Sequence, residues 1–272
     1  MLAGGSKLLS PRHTNTASDM TDQLHSTDKS AAPAYAARII GVEDVMADTR
    51  ILRVELEGRQ RLKFTAGQYA HLRIGDLPSR PYSIASAPGE DYIEFHIRRG
   101  GAGGLSDTLV DDTKPGTPLM LEGPFGTSFW RGGDRPMLAL AGGLGIAPVK
   151  SILEAHLSAA GSPPCHLYWG VRSEDQLYLD RHFRSLAQKT ARMTYIPVIS
   201  DAAAAAQTLR SGFVTQALAE DFAHLGEFDI YLAGPPPMVA ATLPALLDMG
   251  ADQTRIFSDS WQPAPPAPKE TA

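Results

Sequence analysis

The sequence predicts two folded units of different class: a small antiparallel β-barrel, followed by an α/β domain built on a parallel sheet. The chain has 272 residues, which is enough for two domains of ordinary size. Between positions 35 and 121, short β-rich runs are separated by turn residues, with few helical stretches. Beyond Trp130, buried strands alternate with helical stretches, which is typical of a parallel sheet with right-handed crossovers.

Composition excludes several classes of protein. Hydrophobic residues make up 43% and charged residues 20% of the chain, as in globular proteins. The net charge of −5 argues against nucleic-acid binding, and the longest apolar runs are too short to span a bilayer. The single cysteine, Cys165, excludes an intrachain disulfide and a four-cysteine zinc or iron–sulfur site. We expect a cytoplasmic protein in which Cys165 is a small core residue and redox chemistry uses an organic cofactor or a metal with other ligands.

Both ends lack the pattern of a packed element. Residues 1–33 are rich in Ser, Thr, Asp and Ala and are expected to be a disordered tail, within which Met20 offers an alternative translation start. Residues 263–272 form a Pro/Ala tail. The predicted domains are therefore 34–131 and 132–262, with a hinge at Arg131-Gly132-Gly133-Asp134.

The predicted barrel has six strands. In Tyr92–Arg98, apolar and polar residues partly alternate, as they do in a half-buried strand. The other five strands are predicted at Ala37–Val45, Ile51–Leu56, Gln68–Ile74, Tyr82–Ser86 and Pro118–Leu121.

The predicted α/β domain contains five strands and at least three helices. The strands are expected at Met137–Ala141, Cys165–Trp169, Thr194–Ile199, Asp229–Ala233 and Arg255–Phe257. The helices are expected at Val149–Ser158, Asp180–Lys189 and Pro236–Met249. The run Ala202–Ala206 is interpreted as a low-complexity loop or the start of a helix.

A glycine-rich turn follows the first strand of the α/β domain. It reads Gly142-Gly143-Leu144-Gly145-Ile146-Ala147-Pro148, and a helix is expected to begin near Pro148. Glycines let the backbone approach a ligand closely, and a helix N-terminus offers free N–H groups to a phosphate. This turn predicts a nucleotide site, although a tight strand-to-helix connection would have the same sequence.

A second turn of this kind follows the strand Asp229–Ala233. It reads Gly234-Pro235-Pro236-Pro237-Met238 and also precedes a helix. Parallel strands present their carboxyl ends at one edge of the sheet, and ligands bind beyond that edge. The pair of turns therefore predicts one site; two proline-stiffened loops are the structural alternative.

Two barrel segments carry groups suited to a flat heterocycle and a phosphate. In Arg80-Pro81-Tyr82-Ser83, alternation places Arg80 and Tyr82 on one side of the strand and Ser83 on the other. An arginine suits a phosphate, an aromatic ring suits stacking, and a hydroxyl suits a ring nitrogen. The glycines of Gly100–Gly104 precede a short helix containing Leu105 and Ser106 and offer a phosphate cradle, or simply a flexible hairpin loop.

These four segments, in this order, resemble the ferredoxin–NADP reductase superfamily, in particular its branch of flavin reductases and oxygenase reductases. By this resemblance Arg80 would hold a flavin phosphate, Tyr82 would lie against the flavin and Ser83 would hydrogen-bond near N5. Tyr82 and Ser83 are thus the predicted catalytic residues, with Ser83 tuning the flavin rather than attacking it. The remaining residues implied to bind FAD are Pro81, His96, Ile97, Arg98, Gly103, Gly104, Leu105 and Ser106. Those implied to bind the nicotinamide dinucleotide are Gly142, Gly143, Leu144, Gly145, Pro148, Gly234, Pro235, Pro236 and Met238.

The sequence departs from the family pattern at two places. Ala233 stands where many members carry a cysteine beside the nicotinamide, which removes a thiol but leaves the flavin as hydride acceptor. The C-terminal aromatic residue that covers the flavin would be Trp261, which is equally well interpreted as a packing residue.

The resemblance implies a flavoprotein reductase that passes electrons from NADH, through bound FAD, to a separate ferredoxin or oxygenase component. Asp201 favours NADH, because an acid near the ribose accepts from its 2′-hydroxyl. Arg172 would instead favour the 2′-phosphate of NADPH. Two alternatives remain open at this point: an enzyme that releases reduced flavin, and a non-catalytic flavin- or nucleotide-binding subunit.

Overall fold

The computed structural model describes residues 32–201 and 209–259 of the chain. The segment Ala202–Ala206, the side chain of Trp261 and the Pro/Ala tail lie outside these residues, as does nearly all of the predicted N-terminal tail.

The first unit is a six-stranded antiparallel sheet that closes into a barrel. Its strands lie in the order β4-β3-β6-β1-β2-β5. An isolated antiparallel bridge from Ile84, just after β4, to Phe95 in β5 joins the two edges. The strands are β1 (Ala34–Met46), β2 (Thr49–Leu56), β3 (Tyr69–Arg73), β4 (Arg80–Ser83), β5 (Ile93–Arg98) and β6 (Pro118–Phe125), with helix α1 (Leu105–Asp111) between β5 and β6. The predicted barrel is confirmed.

The two faces of β5 are both buried, but they carry different kinds of side chain. Ile93, Phe95 and Ile97 belong to the buried apolar core of the barrel. Glu94 and His96 point the other way and are also buried, at 3% and 5% exposure. Because successive side chains of a strand point to opposite faces, a strand buried on both sides marks where a second body covers the barrel.

The second unit is a six-stranded parallel sheet in the order β10-β9-β8-β7-β11-β12. Its strands are β7 (Met137–Gly142), β8 (Cys165–Val171), β9 (Met193–Ile199), β10 (Arg210–Ser211), β11 (Asp229–Ala233) and β12 (Ile256–Phe257). Its helices are α2 (Ile146–Ser158), α3 (Asp180–Lys189), α4 (Val214–Asp221) and α5 (Pro236–Asp248). The predicted α/β fold is confirmed, with β10 and α4 added to it.

Helices and barrel bury the parallel sheet on both faces. All six residues of β7 are buried, with Ala139 and Ala141 in one apolar cluster and Leu138 and Leu140 in another. Cys165 is fully buried, and burial raises the pKa of its thiol to about 11. The expectation that Cys165 is a core residue is therefore confirmed. Among the described helices, none combines the length and apolar character needed to cross a bilayer.

Candidate functional site

The two glycine turns of the α/β unit pack against one another. The first glycine turn (Gly142–Pro148) follows β7 and the second glycine turn (Gly234–Met238) follows β11, and these strands are neighbours with Ala141 opposite Ala233. A Cβ atom on Gly145 would lie 2.1 Å from the Ala233 carbonyl oxygen, and one on Gly234 would lie 3.2 Å from the Gly142 Cα. The backbones approach so closely that only glycine fits, and the predicted meeting of the two turns is confirmed.

The first glycine turn leads directly into α2. The helix begins at Ile146, two residues before the predicted start, and Pro148 lies in its first turn, where a proline leaves no useful N–H group missing. Gly143 has a φ of +50°, and no atom lies within 4 Å of the position that its Cβ would take. This part of the turn therefore presents bare backbone to open space, as close approach of a ligand requires.

Strand β4 brings the arginine–tyrosine–serine segment (Arg80–Ser83) beside the glycine loop of the barrel, Gly100–Gly104. Tyr82 pairs with Ala70 and Ser83 with Tyr69 across the β3–β4 ladder. The Tyr82 hydroxyl lies 2.9 Å from the Ser106 Oγ on α1. Burial is the main cause that raises the pKa of Tyr82, so its phenol stays protonated at neutral pH. Two segments that are separate in the sequence thus form one surface.

A carboxylate that the sequence reasoning missed organises the glycine loop. The Asp107 carboxylate accepts hydrogen bonds from the amides of Gly100, Gly101, Ala102, Gly103 and Gly104, at distances of 2.7, 2.8, 2.9, 2.6 and 3.2 Å. These bonds lower the pKa of Asp107. The amides of Gly103 and Gly104 therefore face Asp107, whereas Leu105 and Ser106 begin α1, where N–H groups have no intrahelical acceptor. An acid three residues after a glycine run is the signal for this arrangement.

The three predicted flavin-lining residues of β5 have different surroundings. His96 is buried towards the α/β unit, Ile97 faces the barrel core, and Arg98 is exposed with its Nε 3.5 Å from Asp48 Oδ2. Strand β5 also packs against the turn Gly143–Gly145. The barrel strand and the first glycine turn are thus in contact, and any contact from residues 96–98 to a flavin would come from their backbone.

A buried ionic cluster joins α2 to strand β5 of the barrel. Lys150 Nζ lies 3.1 Å from Glu94 Oε1 and 3.2 Å from Glu154 Oε2. Burial opposes ionisation of Glu94, but a hydrogen bond from His96 and the charge and hydrogen bond of Lys150 outweigh it and lower the pKa of Glu94 to about 2. The Ser151 Oγ donates to the Ser86 carbonyl at 2.7 Å. The sequence reasoning missed this cluster, because its members come from distant segments.

The far end of the sheet edge carries the two residues predicted to choose between NADH and NADPH. The Asp201 amide donates to the Arg172 carbonyl at 3.0 Å, so both lie beyond the carboxyl ends of β8 and β9. Phe213 follows β10 at the same edge and is 64% exposed. An exposed aromatic ring beside these polar groups suits an adenine, and sequence reasoning missed it because β10 has only two residues.

The end of the described chain returns to the barrel. Asp259 Oδ1 accepts a hydrogen bond from the Ser128 amide at 3.1 Å, just after β6. A Cβ atom on Gly126 would lie 2.9 Å from Asp259 Oδ2 and 3.0 Å from the Tyr69 ring. The segment that follows β12 is thus held next to Tyr69, the neighbour of Ser83. The predicted role of Trp261 concerns a residue outside the described ranges.

Taken together, the described residues fit two nucleotide cofactors. Backbone at Gly143 is open to a dinucleotide, and Tyr82, Ser106 and exposed Arg80 supply a ring, a hydroxyl and a cation on the barrel side. Within the described ranges, no group of three or more His, Cys, Asp or Glu side chains is arranged to hold a metal ion. The individual binding roles of these residues stay predictions.

Comparison with known families assigns both halves of the chain. Residues 36–130 match the family described as oxidoreductase FAD-binding domain, and residues 139–243 match the oxidoreductase NAD-binding domain. The chain is 34% identical over 226 residues to the reductase component, ferredoxin–NAD(P)(+), of the Pseudomonas putida naphthalene 1,2-dioxygenase system, covering 83% of this chain and 68% of that protein. It is 32% identical to the NAD(P)H-flavin reductase of Aliivibrio fischeri, covering 82% of this chain and 97% of that protein.

Solved structures agree with this assignment. An Amycolatopsis cytochrome P450 reductase superimposes with a TM-score of 0.78 at 31% identity, covering 85% of this chain and 71% of that one. A ferredoxin reductase from a carbazole 1,9a-dioxygenase system gives a TM-score of 0.73 at 28% identity, covering 84% of this chain and 69% of that one. The chain therefore belongs to the ferredoxin–NADP reductase-like oxidoreductases and is an NAD(P)H-dependent flavoprotein reductase with an FAD-binding and an NAD-binding domain.

Proposed function

We propose that this protein passes electrons from NADH, through bound FAD, to a separate ferredoxin or oxygenase component. In this proposal residues 34–131 hold FAD and residues 132–262 hold the nicotinamide nucleotide. The observation that carries it is the contact between β5 and the first glycine turn, with Tyr82 and Ser106 in contact on the barrel side. Relatives named as reductase components of dioxygenase systems support a protein acceptor. A cytoplasmic location is part of the proposal, because NADH is supplied by metabolism inside the cell.

On the barrel side, each residue would have a distinct task. Arg80 and the free N–H groups that begin α1 would hold the FAD diphosphate, with Asp107 ordering the loop around it. Tyr82 would lie against the flavin and Ser83 would donate a hydrogen bond to it. When bound, the flavin takes two electrons from the nicotinamide and releases them singly, and the protein supplies position and environment.

On the α/β side, the backbone would make most of the contacts with the nucleotide. The first glycine turn and the start of α2 would hold the dinucleotide diphosphate, and the second glycine turn with Met238 would close the nicotinamide end. Holding two rings in the reactive orientation contributes on the order of 7–11 kcal/mol of barrier lowering, so neither Tyr82 nor Ser83 needs to act as an acid or base. Phe213 would cover the adenine, with Asp201 accepting from the ribose of NADH.

A second candidate function is the reduction of free flavin, which then leaves the enzyme. The observation that favours it is the Aliivibrio fischeri NAD(P)H-flavin reductase, of which the chain covers 97%. Against it stands the predicted role of the glycine loop with α1, which would give the barrel a place for a diphosphate and so favours FAD held as a dinucleotide.

The visible spectrum of the purified, FAD-reconstituted protein before and after anaerobic addition of NADH tests these functions. We expect FAD to remain bound through gel filtration, to bleach with NADH, and to be reoxidised by a reductase-dependent ferredoxin. Flavin that elutes freely but is turned over when supplied in excess would establish the flavin-reductase function instead. A flavin that stays bound and is not bleached by NADH or NADPH would establish a non-catalytic subunit.

A further inference from the structure

A continuous chain of side-chain contacts crosses from the barrel strand β5 to the first glycine turn. On the barrel, His96 Nε2 lies 3.2 Å from Glu94 Oε1. Across the interface, His96 Nδ1 lies 2.9 Å from the Tyr178 hydroxyl, and the Tyr178 ring packs edge-on against Trp169 with centroids 5.5 Å apart. Finally, Trp169 Nε1 donates to the Gly143 carbonyl at 2.9 Å.

The protonation states along this chain follow from its partners. Burial lowers the pKa of His96, so the imidazole is neutral at pH 7 and carries one N–H. Glu94 is ionised and can only accept, which places that hydrogen on Nε2. Nδ1 is then an acceptor, and the Tyr178 hydroxyl donates to it. Burial raises the pKa of Tyr178 far above neutrality, which keeps this donor protonated. Each hydrogen bond in the chain therefore has a defined donor and acceptor.

The last contact reaches the backbone that the dinucleotide would face. The Gly143 carbonyl accepts from Trp169 and also from the Ile146 amide, so it sits where the turn becomes helix α2. Trp169 is fully buried in β8. Gly143 lies in the left-handed region at φ +50°, and its turn packs against β5, β7, β8 and α2, so the Trp169 hydrogen bond is one of the contacts that orient this peptide.

We propose that His96 and Tyr178 are positioning residues that hold the first glycine turn in register against β5, and through that turn the nicotinamide against the flavin. This inference rests on the proposed function for its effect on the cofactors, but not for its effect on the turn itself. It also gives a role to the histidine on the outer face of β5. Through His96, Tyr178 and Trp169, the strand that would line the flavin is connected to the turn that would hold the nicotinamide.

The test removes one hydrogen bond at a time; Tyr178→Phe keeps the ring, whereas Trp169→Phe also replaces the buried indole with a smaller aromatic ring. Tyr178→Phe removes the hydroxyl that contacts His96, and Trp169→Phe removes the N–H that contacts Gly143. The matched control is Tyr168→Phe, which removes a buried hydroxyl bonded to Asp221 Oδ2 at 2.5 Å, on the opposite face of the same sheet. Hydrogen–deuterium exchange of residues 143–146 in the flavin-free protein measures the turn without any cofactor.

In FAD-reconstituted protein, we expect both test variants to weaken the long-wavelength charge-transfer absorption that appears when NADH is added anaerobically. Flavin reduction in a single turnover should slow by roughly tenfold or more, because a misplacement of about 1 Å can cost about a hundredfold. The affinity for FAD should be unchanged. Tyr168→Phe should leave absorption, rate and exchange at 143–146 at wild-type values.

Two outcomes decide whether the inference stands, and one further comparison covers a variant that does not fold. Faster exchange at residues 143–146 in Tyr178→Phe and Trp169→Phe, but not in Tyr168→Phe, supports the inference even if NADH fails to bleach the wild-type protein, which would overturn the proposed function alone. If exchange at residues 143–146 and charge-transfer absorption stay at wild-type values in all three variants, the inference is overturned while the proposed function stands. If Tyr178→Phe does not fold, Trp169→Phe alone, compared with the Tyr168→Phe control, decides the same question.

Discussion

Two glycine-rich segments of this chain look alike in sequence and are held by opposite means. In the first glycine turn, Gly145 is required because a carbonyl oxygen occupies the space of its Cβ atom. In the glycine loop at 100–104, no atom lies within 4 Å of the Cβ position of Gly103 or Gly104, and the Asp107 carboxylate gathers the amides. A glycine run thus indicates a bare backbone, but only its neighbours decide whether close packing or an anion gives it its shape.

The largest expected effect comes from filling the close-packed turn. Gly145→Ala places a methyl group 2.1 Å from the Ala233 carbonyl oxygen, a rigid backbone atom. We expect the free energy of unfolding to fall by about 3 kcal/mol, at the upper end for overpacked sites. Chemical denaturation of the purified variant measures this loss.

The control belongs to the other glycine segment. Gly104 has an ordinary φ of −94°, and no atom lies within 4 Å of the position of its Cβ. Gly104→Ala should change the free energy of unfolding by no more than about 0.5 kcal/mol. Equal losses in the two variants would show that close packing does not distinguish the segments.

The comparison extends to the carboxylates, because Glu94 is buried among charges whereas Asp107, in the first turn of α1, accepts from the amides of an exposed loop. The folded-state pKa of Glu94 is about 2, below its ordinary value of 4.5. Its stabilisation is therefore fully present above pH 4.5 and is lost as the pH falls towards 2, with a magnitude of about 3 kcal/mol. Glu94→Gln should lower the free energy of unfolding at pH 6, and the difference from wild type should shrink by pH 3.

An exposed pair supplies the control for Glu94. Glu55 pairs with Arg38 at 3.1 Å, and both side chains are more than 40% exposed. Glu55→Gln should cost at most about 1 kcal/mol at pH 6 and should leave the acid dependence of stability unchanged. A Glu94→Gln protein whose stability falls with acid as steeply as that of the wild type would remove Glu94 as the cause.

A smaller effect on FAD binding is expected at the glycine loop, whose amides donate to Asp107. Asp107→Asn keeps the shape of the side chain but removes the charge that accepts from five amides. We expect the dissociation constant for FAD to rise several-fold, as measured by quenching of flavin fluorescence, with little change in the unfolding temperature. Asp112→Asn, which makes the same charge change at the other end of α1, is the control. Tighter FAD binding by Asp107→Asn would show instead that this carboxylate competes with the flavin diphosphate.

The smallest expected effect lies at the far end of the sheet edge, away from both glycine segments. Phe213→Ala should raise the KM for NADH a few-fold through lost stacking on adenine, with kcat unchanged. Leu247→Ala removes another exposed apolar side chain, in the last turn of α5, and should leave both constants unchanged. An unchanged KM in Phe213→Ala would place the adenine elsewhere.

Much of the architecture was predictable from local pattern. Helix α3 has the predicted bounds, and the strands β7 and β11 lie within one residue of the prediction, because each combines a strong apolar run with clear turn residues. Strand β10 was missed because two residues carry no periodicity. Helix α4 was missed although Val214, Ala217 and Leu218 have helical spacing, since the helix is only eight residues long.

The sequence by itself determined the fold class, the order of the two units and the four segments of the candidate site, since these depend on periodicity and on glycine and proline placement within short windows. Only the tertiary structure decided which atoms those segments meet. Asp107 gathers the glycine loop, Glu94 pairs with Lys150, and His96 meets Tyr178 across the interface. The physical reason is that hydrogen bonds and ion pairs depend on distance in space, and these partners lie up to 82 positions apart along the chain.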